Sequence, residues 1–223
     1  MKKWILLDQS LTPDGKVISL HEHDRTFSIR VDAAELMSTR QHASEEKIAE
    51  LACAHLKAKR RSRVLVGGLG FGFTLKAALA TLPPDATVIT AELLAAVVAW
   101  NRNPAFSPAS AAMADPRVSI VQKDVAEVIG ATPGGFDSII LDVDNGPAAL
   151  TAEGNARLYE GSGLRAIHAA LKPGGCAAFW SAAPSAAFEK RLARADFAVE
   201  VHRCRAHTRS GRWHTLFLGR RTR

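Results

Sequence analysis

The chain has 223 residues, of which 47% are hydrophobic, and a formal net charge of +7. That composition supports a full core and excludes global disorder, and the length suits one α/β domain with a small extension. Three widely spaced cysteines, Cys53, Cys176 and Cys204, give no disulfide framework and no zinc pattern, which fits a reducing cytoplasm.

The opening residues, MKKWILLDQS, hold too few apolar side chains before Asp8 for a signal-peptide core. Nothing later approaches a membrane span, so a cytoplasmic location with no membrane partner is expected. Residues 3 to 31 read as short antiparallel strands. Thr12-Pro13-Asp14-Gly15 is a turn signal between the first two, and the third, Thr26–Val31, follows an Asp24-Arg25 turn. His21 and His23 share one strand face, but without a third convergent ligand no metal is expected. Ser44 is the expected cap of a helix with Glu45 and Glu46 in its first turn. Ile48, Leu51, Ala52 and Leu56 lie on one face of that helix, and Lys57 to Arg61 form its basic end.

From there strands and helices alternate. Residues 63–75, RVLVGGLGFGFTL, place a β-branched run before Gly68, Gly70 and Gly72 and a helical pattern after them. Glycines let a backbone approach a ligand, and a helix N-terminus offers unpaired N–H groups, so this turn suits a nucleotide. A plain strand-to-helix turn is the alternative. The helix runs near 73–81 and breaks at Leu82-Pro83-Pro84-Asp85. A strand at Thr87–Ala91 leads to a helix near 94–101, a long loop, and a strand at Val118–Val121. Phe136–Leu141 reads as a central strand. A helix near 162–171 stops at Lys172-Pro173-Gly174-Gly175, before a strand at Cys176–Trp180. A helix near 185–195 precedes strands from Phe197 to Cys204 and from His214 to Leu218, which suit an antiparallel hairpin at one sheet edge. The fold class is therefore α/β, a doubly wound, mostly parallel sheet with a small N-terminal antiparallel β-extension. The extension covers residues 1–40 and the α/β domain residues 41–223.

Ligands in such sheets bind beyond the carboxyl ends of the strands. An acid follows each of three strands there. Glu92 lies about twenty positions past the glycines, where a carboxylate can accept from ribose hydroxyls. Asp124 can accept from an adenine amino group. Asp142 follows the central strand, with Asp144 two residues on. Trp100 either walls the adenine or fills core. Residues 203–223 hold seven arginines and no acid, so the remainder of the chain is neutral overall. A solvated hairpin is the simpler reading of that edge, with nucleic acid the lesser alternative.

From about Leu36 to Trp180 the sequence resembles the spermidine synthases, the polyamine aminopropyltransferases, which share the fold of class I S-adenosylmethionine-dependent methyltransferases. VLVGGLGFGF overlays that family's VLVIGGGDGG, AELL its ribose-binding VEID, and Asp115-Pro116-Arg117-Val118 with Asp124 its DPRV…GD segment. LDVDNGP loosely matches VDSTDPVGP, and Ala170 to Gly175 match ALKPGG. The resemblance implies alkyl transfer from a sulfonium nucleoside, S-adenosylmethionine or its decarboxylated form, to an amine, with no metal. It implies a nucleoside on Gly68, Gly70, Gly72, Glu92 and Asp124, with Asp142 as the base. Asp144 would counter a cationic acceptor, and Tyr159 would close over the acceptor or fill core. It also implies a homodimer. One departure matters: Phe71 stands where the family's glycine motif carries an amine-holding aspartate, so the acceptor is not simply putrescine. A methyltransferase on the same frame and a non-catalytic nucleoside-binding homologue are the alternatives. All of these readings require the glycine bend and the carboxylates of Glu92, Asp124 and Asp142 to face one hollow that Phe71 does not plug.

Overall fold

The computed structural model describes residues 3–32, 34–106, 110–143, 156–207 and 211–222. Four N-terminal strands form an antiparallel meander in chain order: β1 (Ile5–Leu11), β2 (Val17–His23), β3 (Thr26–Val31) and β4 (Ala34–Ser38). The first turn closes through the Gly15 N–H, which donates to the Thr12 carbonyl at 2.9 Å. The second takes Asp24 and Arg25 to φ values of 49° and 61°, the left-handed pair that a two-residue hairpin requires. β4 has no counterpart in the sequence reading. Its residues, AELMS, are mostly good helix formers, and pairing with β3 overrides that preference.

The second sheet has seven strands: β5 (Arg63–Gly67), β6 (Thr87–Ala91), β7 (Val118–Val121), β8 (Phe136–Leu141), β9 (Leu171–Ser181), β10 (Phe197–Arg205) and β11 (Trp213–Arg221). Their order is β10-β11-β9-β8-β5-β6-β7. The strands from β5 to β9 pair in parallel, and β10 and β11 form an antiparallel hairpin at one edge. Side-chain alternation splits the core in two. Val64 and Val66 of β5, Ala178 and Trp180 of β9, and Leu216 and Leu218 of β11 face one side. Leu65, Phe179 and Phe217 face the other.

Helices α1 (Ala43–Cys53), α2 (Phe73–Thr81) and α3 (Ala95–Arg102) cover the first side. The N-terminal sheet joins them there through Ile18, Leu20, Ile29 and Val31. The short α4 (Ser110–Met113) lies within the segment read as a long loop. α5 (Val125–Gly130), α6 (Gly161–Ala170) and α7 (Ala186–Arg194) cover the second side. α5 was not expected; at six residues it is too short to show a helical period.

Two local expectations need correction. Ser44 does not cap α1: the cap position is His42, and Ser44 is buried inside the first turn. The LKPGG segment does not lie outside the sheet. β9 starts at Leu171 and bulges, so that Phe136 faces Leu171 while Ser138 already faces Cys176. Gly174 takes the positive φ of 76° within that bulge.

The arginine-rich hairpin makes several contacts with its own chain. Arg203 and Arg205 stand over the Trp213 ring, Arg220 pairs with Glu200, and Arg221 donates to the carbonyls of His168 and Leu171. Among the described residues no helix is long and apolar enough to cross a membrane.

Candidate active site

The glycine turn is built by the sheet around it. β5 lies between β6 and β8, with Gly67 opposite both Ala91 and Leu141. The residues after the strands therefore emerge together: Gly68 after β5, Glu92 after β6 and Asp142 after β8. Backbone bonds continue the ladder past the strand ends. The Asp142 N–H donates to the Gly67 carbonyl at 3.0 Å, and the Gly68 N–H to the Ala91 carbonyl at 2.9 Å. Gly68 has φ 86°, and a Cβ there would stand 2.3 Å from the Asp142 carbonyl oxygen, so no larger residue fits. Gly70 has φ 50°, and its missing Cβ leaves room for the Met37 methyl, which would otherwise lie at 2.5 Å. Asn101 fixes this turn from α3 by donating to the Gly70 carbonyl at 2.6 Å.

A cavity of about 570 Å³ opens above these strand ends, within the size range of small-ligand sites. Gly68, Gly70, Glu92, Asp124 and Asp142 all line it, and so does Glu45. β4 contributes Leu36 and Met37 to one wall, and β9 contributes Trp180.

Glu92 is 8% exposed. Its Oε2 accepts from the Leu69 N–H at 2.9 Å and its Oε1 from the Leu94 N–H at 2.8 Å. Burial raises its pKa against those bonds. Asp124 caps α5, accepting from the Ala126 N–H at 2.8 Å, and pairs with Arg157. Asp142 accepts from the Thr74 hydroxyl at 2.5 Å. Burial nevertheless pushes its carboxyl up to about 6. Glu45, in the first turn of α1, is raised further, to about 8, by burial and then by the Asp142 charge. Both residues are half-buried and line the cavity. The protein around them has displaced bulk solvent, so desolvation dominates. Both carboxyls are raised because burial penalises their charged forms and each charge opposes the other, so near neutral pH the pair shares a proton.

The other expected residues lie elsewhere. Gly72 caps α2 in the left-handed conformation and is not part of the lining. Tyr159 is in the core rather than at the acceptor side. It is 2% exposed, packs edge-on against Phe188 and donates its hydroxyl to the Val143 carbonyl at 3.2 Å. Asp144 falls outside the described residues. Trp100 fills core and donates its indole N–H to Asp8 Oδ2 at 2.7 Å. Phe71 is 2% exposed and packs into the first core face, so it does not plug the cavity. Among the described residues no cluster of three or more His, Cys, Asp or Glu side chains is placed to hold a metal. His21 meets the Ser19 hydroxyl at 2.9 Å, and the His23 ring lies 5.2 Å from Trp4.

Sequence reasoning missed Glu45 as a site residue. An acid in the first turn of a helix is explained by the dipole alone, and only packing of α1 against α2 and β8 carries it to Asp142.

No protein-family profile and no curated protein sequence matches the chain. Solved structures do match. A spermidine synthase in complex with the transition-state analogue AdoDATO superposes with a TM-score of 0.75 at 18% identity, over 97% of this chain and 72% of that one. Spermidine synthase from Thermotoga maritima gives 0.76 at 19%, over 97% and 72%. A probable spermidine synthase from Corynebacterium glutamicum ATCC 13032 gives 0.66 at 18%, over 99% and 81%. A methyltransferase-like seven-stranded sheet carrying a separate antiparallel N-terminal sheet is thus the architecture this chain has in common with the spermidine synthases.

Proposed function

We propose that the protein is a spermidine-synthase-like transferase. It moves an aminopropyl group from decarboxylated S-adenosylmethionine to an amine. The observation that carries this reading is the convergence of the glycine turn, Glu92, Asp124 and the Asp142–Glu45 pair on one cavity. A sulfonium is already an activated donor, so the protein has to align the two substrates and exclude water. Glu92 takes the ribose hydroxyls and Asp124 the adenine amino group. The Gly68–Gly70 backbone lets the nucleoside lie close to the strand ends.

The acceptor must lose a proton to attack, because an ammonium has no lone pair and titrates at about 10. Asp142 is the base, and a carboxyl pair that shares one proton with Glu45 is a suitable starting state. The cavity lining includes Lys123 and Arg212 as well as acids, and Phe71 brings no carboxylate to it. A singly charged amine therefore suits it better than putrescine, which carries two charges. The free thiols of Cys53, Cys176 and Cys204 accord with a cytoplasmic setting. Exposed Ile5, Leu6 and Leu11 on β1 offer an apolar surface for a homodimer.

Methyl transfer is the second reading, favoured by Lys123 and Arg212, since either cation could neutralise the carboxylate of intact S-adenosylmethionine. Calorimetry with S-adenosylmethionine, its decarboxylated form and methylthioadenosine separates the two, followed by mass spectrometry on an amine panel. Preference for the decarboxylated donor and an alkylated amine are expected. Preference for intact S-adenosylmethionine overturns aminopropyl transfer. Donor binding without turnover on any amine favours a non-catalytic nucleoside-binding protein.

A further inference from the structure

We propose that Ser44 and His214 form a proton relay that discharges the Asp142–Glu45 pair, running from the Glu45 carboxyl through the Ser44 hydroxyl to the His214 imidazole. The proposal rests on the reading of that pair as the acid–base centre of an amine alkylation.

The geometry is a continuous hydrogen-bond chain between two elements far apart in sequence. Ser44 is fully buried in the first turn of α1. Its Oγ lies 2.6 Å from Glu45 Oε2 and 2.9 Å from Nδ1 of His214 on β11. His214 itself lines the cavity. A hydroxyl between two such partners donates to one and accepts from the other, because it has a single hydrogen. Two polarities follow. With Glu45 protonated, Glu45 donates to Ser44, Ser44 donates to Nδ1, and the imidazole proton is on Nε2. With Glu45 ionised, Ser44 donates to Glu45 and accepts from Nδ1–H, and Nε2 is bare. Passing from the first state to the second moves a proton from Glu45 to Ser44 and from Ser44 to Nδ1, while Nε2 releases one to water. Neither Ser44 nor His214 changes charge.

The reaction needs such an exit. As the amine nitrogen forms its bond to carbon, the carbon–sulfur bond breaks and its electron pair stays on sulfur. Before that attack the acceptor's ammonium gives its proton to Asp142, so the pair then holds two; Glu45 gives one up through Ser44, and the other passes from Asp142 to Glu45, which restores the base. The surplus must leave before the next turnover.

The surroundings favour a neutral carrier. Glu45 faces Asp142 from the end of β8, Glu46 on its own helix and the Cys204 thiol on β10. His214 lies opposite Cys204 in the β10–β11 ladder, edge-on to Trp180 of β9 at 4.6 Å, and near Arg212. Burial and then the Arg212 charge hold the His214 pKa below its ordinary value, so the ring is neutral where Glu45 ionises.

Nitrogen-15 NMR of the imidazole nitrogens in the full chain tests the relay without any assay of turnover. Between about pH 6 and about pH 10 the neutral His214 ring should switch from the Nε2–H to the Nδ1–H form, with a midpoint at about 8. Ser44→Ala and Glu45→Gln should each abolish the switch. A single tautomer throughout the wild-type titration overturns the relay, and that measurement needs no variant to fold. The same switch in Ser44→Ala overturns it as well. Amine turnover with a fixed tautomer sinks the relay and leaves the transferase reading standing. A switch in a protein that alkylates no amine supports the relay and sinks the transferase reading.

Discussion

Asp137 and Asp142 mark the two ends of one strand, β8, and have opposite fates. Asp137 lies at the amino end with a fully buried carboxylate. Lys59 stands 2.8 Å from its Oδ1 and Lys172 2.7 Å from its Oδ2, and the Arg63 N–H donates to Oδ2 at 2.7 Å. Burial pushes its pKa up, but those partners outweigh it, and the net direction is down. Asp142, just past the carboxyl end, has one hydroxyl partner and an acid for a neighbour, so burial wins and its pKa rises. The difference is in compensation rather than depth. A carboxylate matched by cations anchors the fold, whereas one left short of partners is available for proton transfer.

The largest expected effect separates these roles. Asp142→Asn should lower turnover by about 10²–10⁴-fold, the usual worth of a positioned base. Nucleoside affinity should change by less than about tenfold. Equal loss of both would mean that Asp142 holds the donor or the turn. Asp137→Asn should do the reverse, destabilising by about 1–3 kcal/mol in urea unfolding with KM unchanged. The figure stays below that of a fully buried pair, because both lysines are partly exposed. A lowered carboxyl pKa contributes stability that is present above its unfolded value and lost as pH falls through the folded one. Wild type should therefore weaken below about pH 4, and the variant should weaken less.

Residues whose meaning is local could be read from the sequence. The Phe136–Leu141 stretch of β8 is largely apolar, the glycines punctuate the end of β5, and acids follow β6, β7 and β8, so the layered sheet and the end of it that carries the cavity were both legible. β4 was not, because AELMS acquires its strand form only by pairing with β3. Glu45 had an adequate local explanation as a dipole residue, and its place near enough to feel the Asp142 charge depends on how α1 packs. Tyr159 stayed open between acceptor side and core for the converse reason: a motif match fixes chain position, whereas the direction of the ring, into the core, is set by Phe179 and Phe188.

Glu92 extends the comparison to a third buried carboxylate, satisfied by backbone N–H groups instead of cations. Glu92→Gln should weaken binding of methylthioadenosine by about tenfold, since a charged acceptor is worth more than an amide. Thermal stability should also fall, by about 1–3 kcal/mol, because the Gln oxygen can accept only one of the two backbone bonds and its NH2 group leaves the other buried N–H unpaired. Unchanged affinity in calorimetry would reject the ribose role.

The smallest effect tests whether the site end of β8 is held at a cost to the fold. A carboxyl whose pKa is raised on folding contributes stability below its unfolded value, about 4.3 for Glu, and loses it as pH rises through the folded one. For Glu45 that loss runs up to about 8. Glu45→Gln carries no charge at any pH, so it escapes the penalty and also frees Asp142 from a like charge. The variant should match wild type near pH 4 and exceed it at pH 9 by about 1 kcal/mol or more. Its alkaline limb of turnover should also flatten, because no proton remains to be lost there. Equal stability of the two proteins at pH 9 would mean that solvent reaches Glu45 freely. The contrast with Asp137 would then rest on Asp142 alone.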